Sequence, residues 1–287
     1  QWRTSFRTIA PNPNITWEVS NSYDVGIESR FFGGQLSFEF DWFKSRRTNI
    51  LSKRNASIPA FTGLSLPDEN IGIAENQGIE FMIGHQKSVN KDFSYSISGN
   101  FTYAKNNVVF SDEAPMAEEY HPIGSSLRYK AIGIYSESDM ADSNVPKRPG
   151  TMAGDIKIWD ANGDGEINSL DRIRQDLTDI PQIVYGVNLG ITWKQFDLSL
   201  LFQGQAKVIN TIQETWVDPS SGGAGNLMQW WTEDMWTPEN TDGTKPRLGT
   251  PNKINGTTFT NINAAFFKLK NAEIGYTLPV AVREKIG

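Results

Sequence analysis

The sequence predicts an all-β protein, an antiparallel transmembrane β-barrel segment of about seven strands with long extracellular loops. Apolar and polar residues alternate over stretches of about ten positions, the length of a strand that crosses a bilayer at a tilt. Aromatic residues stand at both ends of the apolar faces, as they do at the two interfaces of a membrane. The connections are alternately short and long, whereas compact soluble domains rarely contain loops beyond about fifteen residues.

The amino-acid composition limits the classes of function that this protein can have. The 287 residues have a mean hydropathy of −0.44, and they include nine Trp and no Cys. No run of about eighteen apolar residues exists, so the sequence predicts no transmembrane helix, while a barrel hides its apolar residues in alternation. The net charge of −6 without a basic stripe argues against a nucleic-acid partner. Disulfides are excluded because cysteine is absent.

The first predicted hairpin consists of residues 23–31 and 36–42. Between them stands Gly33-Gly34, a strong signal for a two-residue turn. In the second strand the polar positions include Glu39 and Asp41. Charges at every second position are unfavourable in a soluble core but are well tolerated on a face that lines water.

Two more hairpins and a last strand follow the same pattern. They comprise strands 79–85 and 93–103 with a turn at 88–91, strands 183–193 and 196–205 with a turn at Lys194-Gln195, and a final strand 266–278. The long connections are residues 52–77, 106–181 and 207–264. Outer-membrane barrels place short turns on the periplasmic side and long loops outside, and we expect the same here.

Several ordered motifs along the chain resemble the SusC/RagA-like TonB-dependent transporters of the Bacteroidetes outer membrane. Each motif is weak alone, but together they follow the family's order over nearly the whole sequence. They are Asn12–Glu18, Gly33–Phe43, Asn76–Glu80, Gly154–Lys157, Asp160–Gly165, Tyr185–Gly190, Phe202–Gly204, Leu269–Asn271 and Ile274–Pro279.

The resemblance implies a 22-stranded barrel with an N-terminal plug, a TonB box and a SusD-like lipoprotein lid, importing oligosaccharides or peptides. Residues 1–287 are expected to form an internal part of the C-terminal half of the barrel domain, with the plug and the TonB box upstream and further strands downstream. The implied partners are the SusD-like lipoprotein, TonB through that upstream part, outer-membrane lipid and the substrate. No catalytic role is expected.

A loop of twelve residues has the spacing of an EF-hand-type calcium site. Side-chain oxygens fall at positions one, three, five and twelve, a Gly stands at six, and a backbone carbonyl is available at seven. The candidate ligands are Asp160, Asn162, Asp164, Glu166 and Asp171. This predicts a structural Ca²⁺. The alternative is a turn without metal, since Asp, Asn and Gly form such turns unaided.

Four tryptophans crowd the last long connection, namely Trp216, Trp230, Trp231 and Trp236. They are candidates for stacking on sugar rings or for contacting a lid protein, because aromatic residues are enriched at interfaces. The alternative is a small hydrophobic cluster that keeps the long connection folded.

A second function class also fits the alternation. A secreted, calcium-stabilised β-sandwich that binds glycans would show the same apolar faces. A sandwich must bury these faces against each other, whereas a barrel turns them to lipid and its charges to an aqueous lumen. The location of the apolar faces therefore separates the two hypotheses.

Overall fold

A computed structural model describes residues 12–53, 67–112, 120–212, 229–249, 256–279 and 282 of the chain. Strands dominate these residues, and the two α-helices are short. No helix in the described part is long and apolar enough to cross a membrane. In chain order the elements are β1 Val19–Phe31, β2 Leu36–Ser52, β3 Glu69–Asn90, β4 Phe93–Phe110, β5 Leu127–Tyr129, β6 Ala131–Ile134, α1 Glu137–Ala141, β7 Ile156–Ile158, β8 Arg172–Arg174, β9 Ile183–Trp193, β10 Phe196–Ala206, β11 Ile209–Thr211, α2 Gln229–Thr232, β12 Asn261–Asn263 and β13 Phe266–Tyr276.

Seven long strands of the described chain form one sheet in the order β1-β2-β3-β4-β9-β10-β13. Every neighbouring pair is antiparallel, and the three predicted hairpins are confirmed. The first hairpin turns through Gly33 and Gly34, whose φ angles of 67° and 89° lie in the left-handed region that favours glycine. In the second hairpin the pairing continues to Asn90 and Phe93, so the turn is two residues rather than the predicted four.

Three strands extend seven to ten residues beyond their predicted ends. β2 continues to Ser52, β3 begins at Glu69 and β4 continues to Phe110. The apolar alternation stops near Trp42 because the same face then carries charged side chains, which pair across the strands instead of packing. The backbone hydrogen bonds of the sheet do not depend on apolar alternation, so the strands continue beyond the residues where the alternation ends.

The chain divides into two compact units. The sheet unit comprises Gln1–Ala114, Ile180–Val208 and Ala264–Gly287, and the loop unit comprises Pro115–Asp179 and Ile209–Asn263. Our prediction that residues 1–287 belong to one barrel domain stays a prediction.

The loop unit has hydrophobic clusters of its own. Ile156 and Trp231 form one cluster, and Tyr129, Ile158 and Ile167 form a second. The loop unit also contains three two-stranded ladders, which pair β5 with β8, β6 with β7 and β11 with β12. The first cluster could not be predicted from local sequence, because Ile156 and Trp231 come from two connections that are far apart along the chain.

The sheet unit buries very little. Among its described residues, Val208 is the one large apolar side chain that is buried, at 3% exposure, and the other buried positions are four glycines and Asn107. The apolar faces of the seven strands therefore remain open to their surroundings.

Candidate functional site

The register assigns each strand residue to one of two faces, because directly paired residues share a face. One row of paired residues runs through Val25, Trp42, Ile79, Tyr103 and Ile183. We call this side the apolar face and the opposite side the polar face. Phe38, Phe40, Leu198 and Leu200 lie on the apolar face, and Glu39, Asp41, Asp197 and Ser199 lie on the polar face.

Aromatic residues bound the apolar face near the short turns. Phe93, Trp193, Phe196 and Tyr276 form a continuous row across four neighbouring strands. The rings of Phe196 and Tyr276 lie 4.8 Å apart, and Trp193 is 55% exposed. Large exposed aromatics in a row are unusual on a soluble surface but are typical of a membrane interface.

A second aromatic group bounds the same face near the long connections. It consists of Trp42, Tyr103, Tyr185 and Phe267. The rings of Tyr185 and Phe267 stack at 5.9 Å. Gly204 lies under the Tyr185 ring, and a Cβ at that position would overlap the ring.

The separation of the two aromatic groups matches a membrane. On β4, Tyr103 comes ten positions after Phe93. Ten residues at about 3.4 Å each, tilted by about 45°, rise roughly 24 Å along the membrane normal. The apolar band of an outer-membrane barrel is about 25 Å tall.

The polar face carries carboxylates directly opposite one another. Glu28 is paired with Glu39, and Asp41 is paired with Glu80. Arg30 makes an exposed salt bridge of 3.3 Å with Glu28. Like charges placed opposite each other destabilise a sheet, and solvation by water reduces their repulsion. This face therefore suits a water-filled space.

Polar side chains of this face occupy the space next to glycines on the neighbouring strand. A Cβ at Gly186 would come within 2.7 Å of the Asn100 amide oxygen. A Cβ at Gly275 would overlap the carboxylate of Asp197. The cross-strand register pairs Asn100 with Gly186 and Asp197 with Gly275, which explains why both positions carry glycine.

The loop at 160–171 is closed by its own hydrogen bonds. The two carboxylate oxygens of Asp160 accept the N–H groups of Gly163 at 2.7 Å and of Gly165 at 2.8 Å. Asp171 has no exposed surface, and its oxygens accept the N–H groups of Ala161 and Asn168 at 2.9 and 2.7 Å. These bonds hold a turn without any ion, and each carboxylate keeps free lone pairs.

Asp164 lies at the exposed side of this loop. It accepts hydrogen bonds of 2.8 Å from the Glu166 N–H and from the Asn162 amide. These donors, with the Glu166 backbone first, lower the pKa of Asp164 below its ordinary value. Within the described residues, no three or more His, Cys, Asp or Glu side chains already converge as a metal ion would need, so an ion in this loop would have to draw its carboxylates together.

The tryptophans separate into two kinds. Trp231 and Trp236 are buried at 2% and 7% exposure, so they pack inside the loop unit as the hydrophobic-cluster alternative describes. Trp230 is 44% exposed, and its ring meets the Trp231 ring edge-on at 5.6 Å. Trp216 lies outside the described residues.

One feature of the loop unit was missed in the sequence. Asp155 is 1% exposed and accepts hydrogen bonds from Arg247 Nε at 3.0 Å and from the Met152 N–H at 2.8 Å. The two charged residues are 92 positions apart, so no local pattern could pair them. This ion pair joins the two halves of the loop unit.

Comparison with known proteins identifies the fold and the family. Residues 2–278 match the sequence profile described as TonB dependent receptor-like, beta-barrel. TonB-dependent receptor P3 of Formosa agariphila is 31% identical over 96% of the chain and 29% of its own length. TonB-dependent receptor SusC of Bacteroides thetaiotaomicron is 26% identical over 67% of the chain and 20% of its own length.

A solved structure has the same fold. The structure of the RagAB peptide transporter superposes with a TM-score of 0.70 at 22% identity, covering 95% of this chain and 30% of that one. The chain thus spans less than a third of each of these relatives. It belongs to the TonB-dependent receptor-like β-barrel family, and its seven-stranded sheet is part of that family's barrel fold.

Proposed function

We propose that this chain supplies barrel wall and extracellular loops to a TonB-dependent transporter that imports oligosaccharides or peptides with a SusD-like lid. The observation that carries this proposal is the apolar face, which stays open across seven strands between two aromatic groups. A β-sandwich would bury alternate apolar side chains of its sheets, whereas the described residues of this sheet unit include one large buried apolar side chain. The relatives are named receptors and transporters, which favours a non-catalytic role.

In this proposal the apolar face meets lipid and the polar face lines the lumen. The short turns are periplasmic, and the long connections with the loop unit are extracellular. The alternation of short and long connections supports this orientation, because outer-membrane barrels have it systematically.

The substrate and partners follow from the relatives by analogy. The RagAB structure is named a peptide transporter, which supports a peptide among the candidate substrates. The exposed Trp230 suits a contact with a substrate or with the lid, since it is the described tryptophan of the group with a large exposed surface. TonB would act through a plug and a TonB box outside residues 1–287.

Cysteine labelling tests the orientation. The chain has no cysteine, so single substitutions give labels without background. Ser143→Cys in the loop unit and Gln195→Cys in a short turn are both exposed. We expect a membrane-impermeant maleimide to label position 143 on intact cells and position 195 only after the outer membrane is opened. The reverse pattern would refute the orientation.

We also propose that the loop at 160–171 binds a structural Ca²⁺ through the five residues predicted from its spacing. Support comes from the free lone pairs of Asp160 and Asp171 and from the glycine at the sixth position, Gly165, whose φ is 84°. The ion would neutralise the carboxylates of one tight loop.

Asp164→Asn separates metal binding from the turn itself. The amide oxygen can still accept the Glu166 N–H, while the charge is lost. We expect calorimetric Ca²⁺ affinity of the natural full-length protein to fall at least tenfold. Asp142→Asn is a matched control, because Asp142 also accepts an N–H two residues ahead in the same unit. Absence of Ca²⁺ binding at millimolar concentration by the unsubstituted protein would eliminate the ion.

A further inference from the structure

Above the second aromatic group, the apolar face changes its chemistry within two rows of paired residues. The row through Trp42, Ile79 and Tyr103 is apolar and aromatic. The next row on the same face pairs Lys44, Gln77 and Lys105. The row after that pairs Arg46 and Glu75 with Asn107.

These two rows bring three cations and one carboxylate to the same part of the face, and a fourth cation lies nearby. Glu75, whose side chain is 10% exposed, pairs with Arg46 and lies 3.5 Å from the Lys44 ammonium. The ammonium of Lys207 lies 5.2 Å from the centre of the Tyr103 ring, which brings it to the same face. No described residue forms an ion pair or a hydrogen bond with the side-chain ammonium of Lys105. We call Lys44, Arg46, Lys105 and Lys207 the basic collar.

The basic collar lies at the height of lipid headgroups if the apolar face meets lipid. Tyr and Trp rings sit at the membrane–water interface, and lysines just beyond them extend their ammonium groups into the headgroup layer. Glu75 holds two of the cations side by side, so the collar keeps a net positive charge directed away from the apolar band.

We propose that the basic collar binds the phosphate groups of the outer-leaflet glycolipid, lipopolysaccharide, on the outside of the barrel wall. The inference rests on the orientation proposed above, because the collar lies at the end of the sheet that carries the long connections. Four cations facing the headgroup layer, with one carboxylate among them, are complementary to a phosphorylated sugar headgroup. The continuous apolar band below them would contact the acyl chains of the same lipid.

The test compares two sets of three lysines in the natural full-length protein. The collar variant carries Lys44→Gln, Lys105→Gln and Lys207→Gln. The matched control carries Lys87→Gln, Lys91→Gln and Lys194→Gln at the short-turn end, where Lys194 lies 5.4 Å from the Trp193 ring. The measurement is the amount of lipopolysaccharide retained per protein after detergent washing, and again after purified lipopolysaccharide is added back.

A lysine near an anionic lipid surface is worth roughly a fivefold change in binding. We expect the collar variant to retain at least tenfold less lipopolysaccharide and the control variant to retain the unsubstituted amount. Replacing the three collar lysines with Arg should preserve retention, because the charge is kept. A single Lys105→Gln variant, measured in parallel, gives a partial loss even if the triple variant assembles poorly.

Three results would overturn the proposal. The collar variant could retain as much lipopolysaccharide as the unsubstituted protein, or the control variant could lose as much lipopolysaccharide as the collar variant. The third result is that phosphatidylglycerol of equal charge displaces the bound lipopolysaccharide completely. The labelling at positions 143 and 195 reports the orientation separately. Correct labelling with unchanged retention would reject the collar as a glycolipid site and leave the transporter proposal standing.

Discussion

Leu200→Arg tests the assignment of the apolar face to lipid. Leu200 lies on β10, four positions after the aromatic residue Phe196, and it is paired with Leu189 and Ala272. Four residues at about 3.3 Å each, tilted by about 45°, place it roughly 9 Å above the lower aromatic row. In a band of about 25 Å this position is near the midplane, where an Arg on the lipid face costs about 2–4 kcal/mol.

Ser199→Arg is the matched control. Ser199 immediately precedes Leu200, so its side chain lies on the opposite face of the sheet at nearly the same depth in the membrane. Its register partners are Gly190, which leaves space, and Glu273, whose carboxylate can pair with a guanidinium. The same side chain therefore meets water and an opposite charge on the polar face, and we expect an effect within about 0.5 kcal/mol.

Assembly in the outer membrane reports the difference. A penalty of about 2–4 kcal/mol changes the folded-to-unfolded ratio by roughly 30- to 900-fold. We expect the Leu200→Arg protein to be largely lost from the heat-modifiable, membrane-inserted fraction, and the Ser199→Arg protein to remain there. Equal yields of the two variants would refute a bilayer on the apolar face.

Three further outcomes concern the loop unit. Trp231→Ala should lower the stability of the loop unit by about 3–5 kcal/mol, measured by limited proteolysis. Trp231→Phe should cost clearly less, because the buried indole N–H has no hydrogen-bond partner that the smaller ring would lose. Equal losses in the two variants would contradict this packing role. Arg247→Gln should cost about 3–5 kcal/mol in the same assay, since it leaves the buried Asp155 carboxylate without its cation, and unchanged protection would contradict that role. The hydrogen bond from Lys157 lowers the pKa of Asp139 in the folded protein. The ionised Asp139 therefore stabilises the folded state at pH values above its pKa in the unfolded chain, and this stabilisation is lost as the pH falls through its pKa in the folded protein. Lys157→Gln should flatten the acid dependence of unfolding below about pH 4, and an unchanged profile would argue against the linkage.

The sheet could be predicted from the sequence because alternation encodes it directly. A strand with lipid on one face and water on the other must alternate, and a shift by one residue would expose every side chain to the wrong solvent. The pattern predicted the three hairpins and the last strand from 266, but it ended β2, β3 and β4 seven to ten residues too early on the side of the long connections. It failed where the strands leave the apolar band, because at Lys44 and Arg46 the strand continues while the side chains on that face become charged.

The loop unit could not be predicted in the same way. Its core joins Ile156 and Trp231, and its buried ion pair joins Asp155 and Arg247, so the partners come from different connections. Local periodicity carries no information about such contacts. The spacing of the loop at 160–171 was informative about the turn, and the ion remains a proposal.

The two faces together explain what fixes the register of this sheet without a core. In most domains a one-residue slip is prevented by buried side chains, but the sheet unit buries Val208 and few other positions. Here the opposed carboxylates, Asp41 with Glu80 and Glu28 with Glu39, require water on the polar face. The aromatic rows require an interface at both ends of the apolar face. A slipped strand would carry carboxylates into lipid, which destabilises a barrel. Lipid on one face and water on the other therefore fix the register that a buried core fixes in other domains.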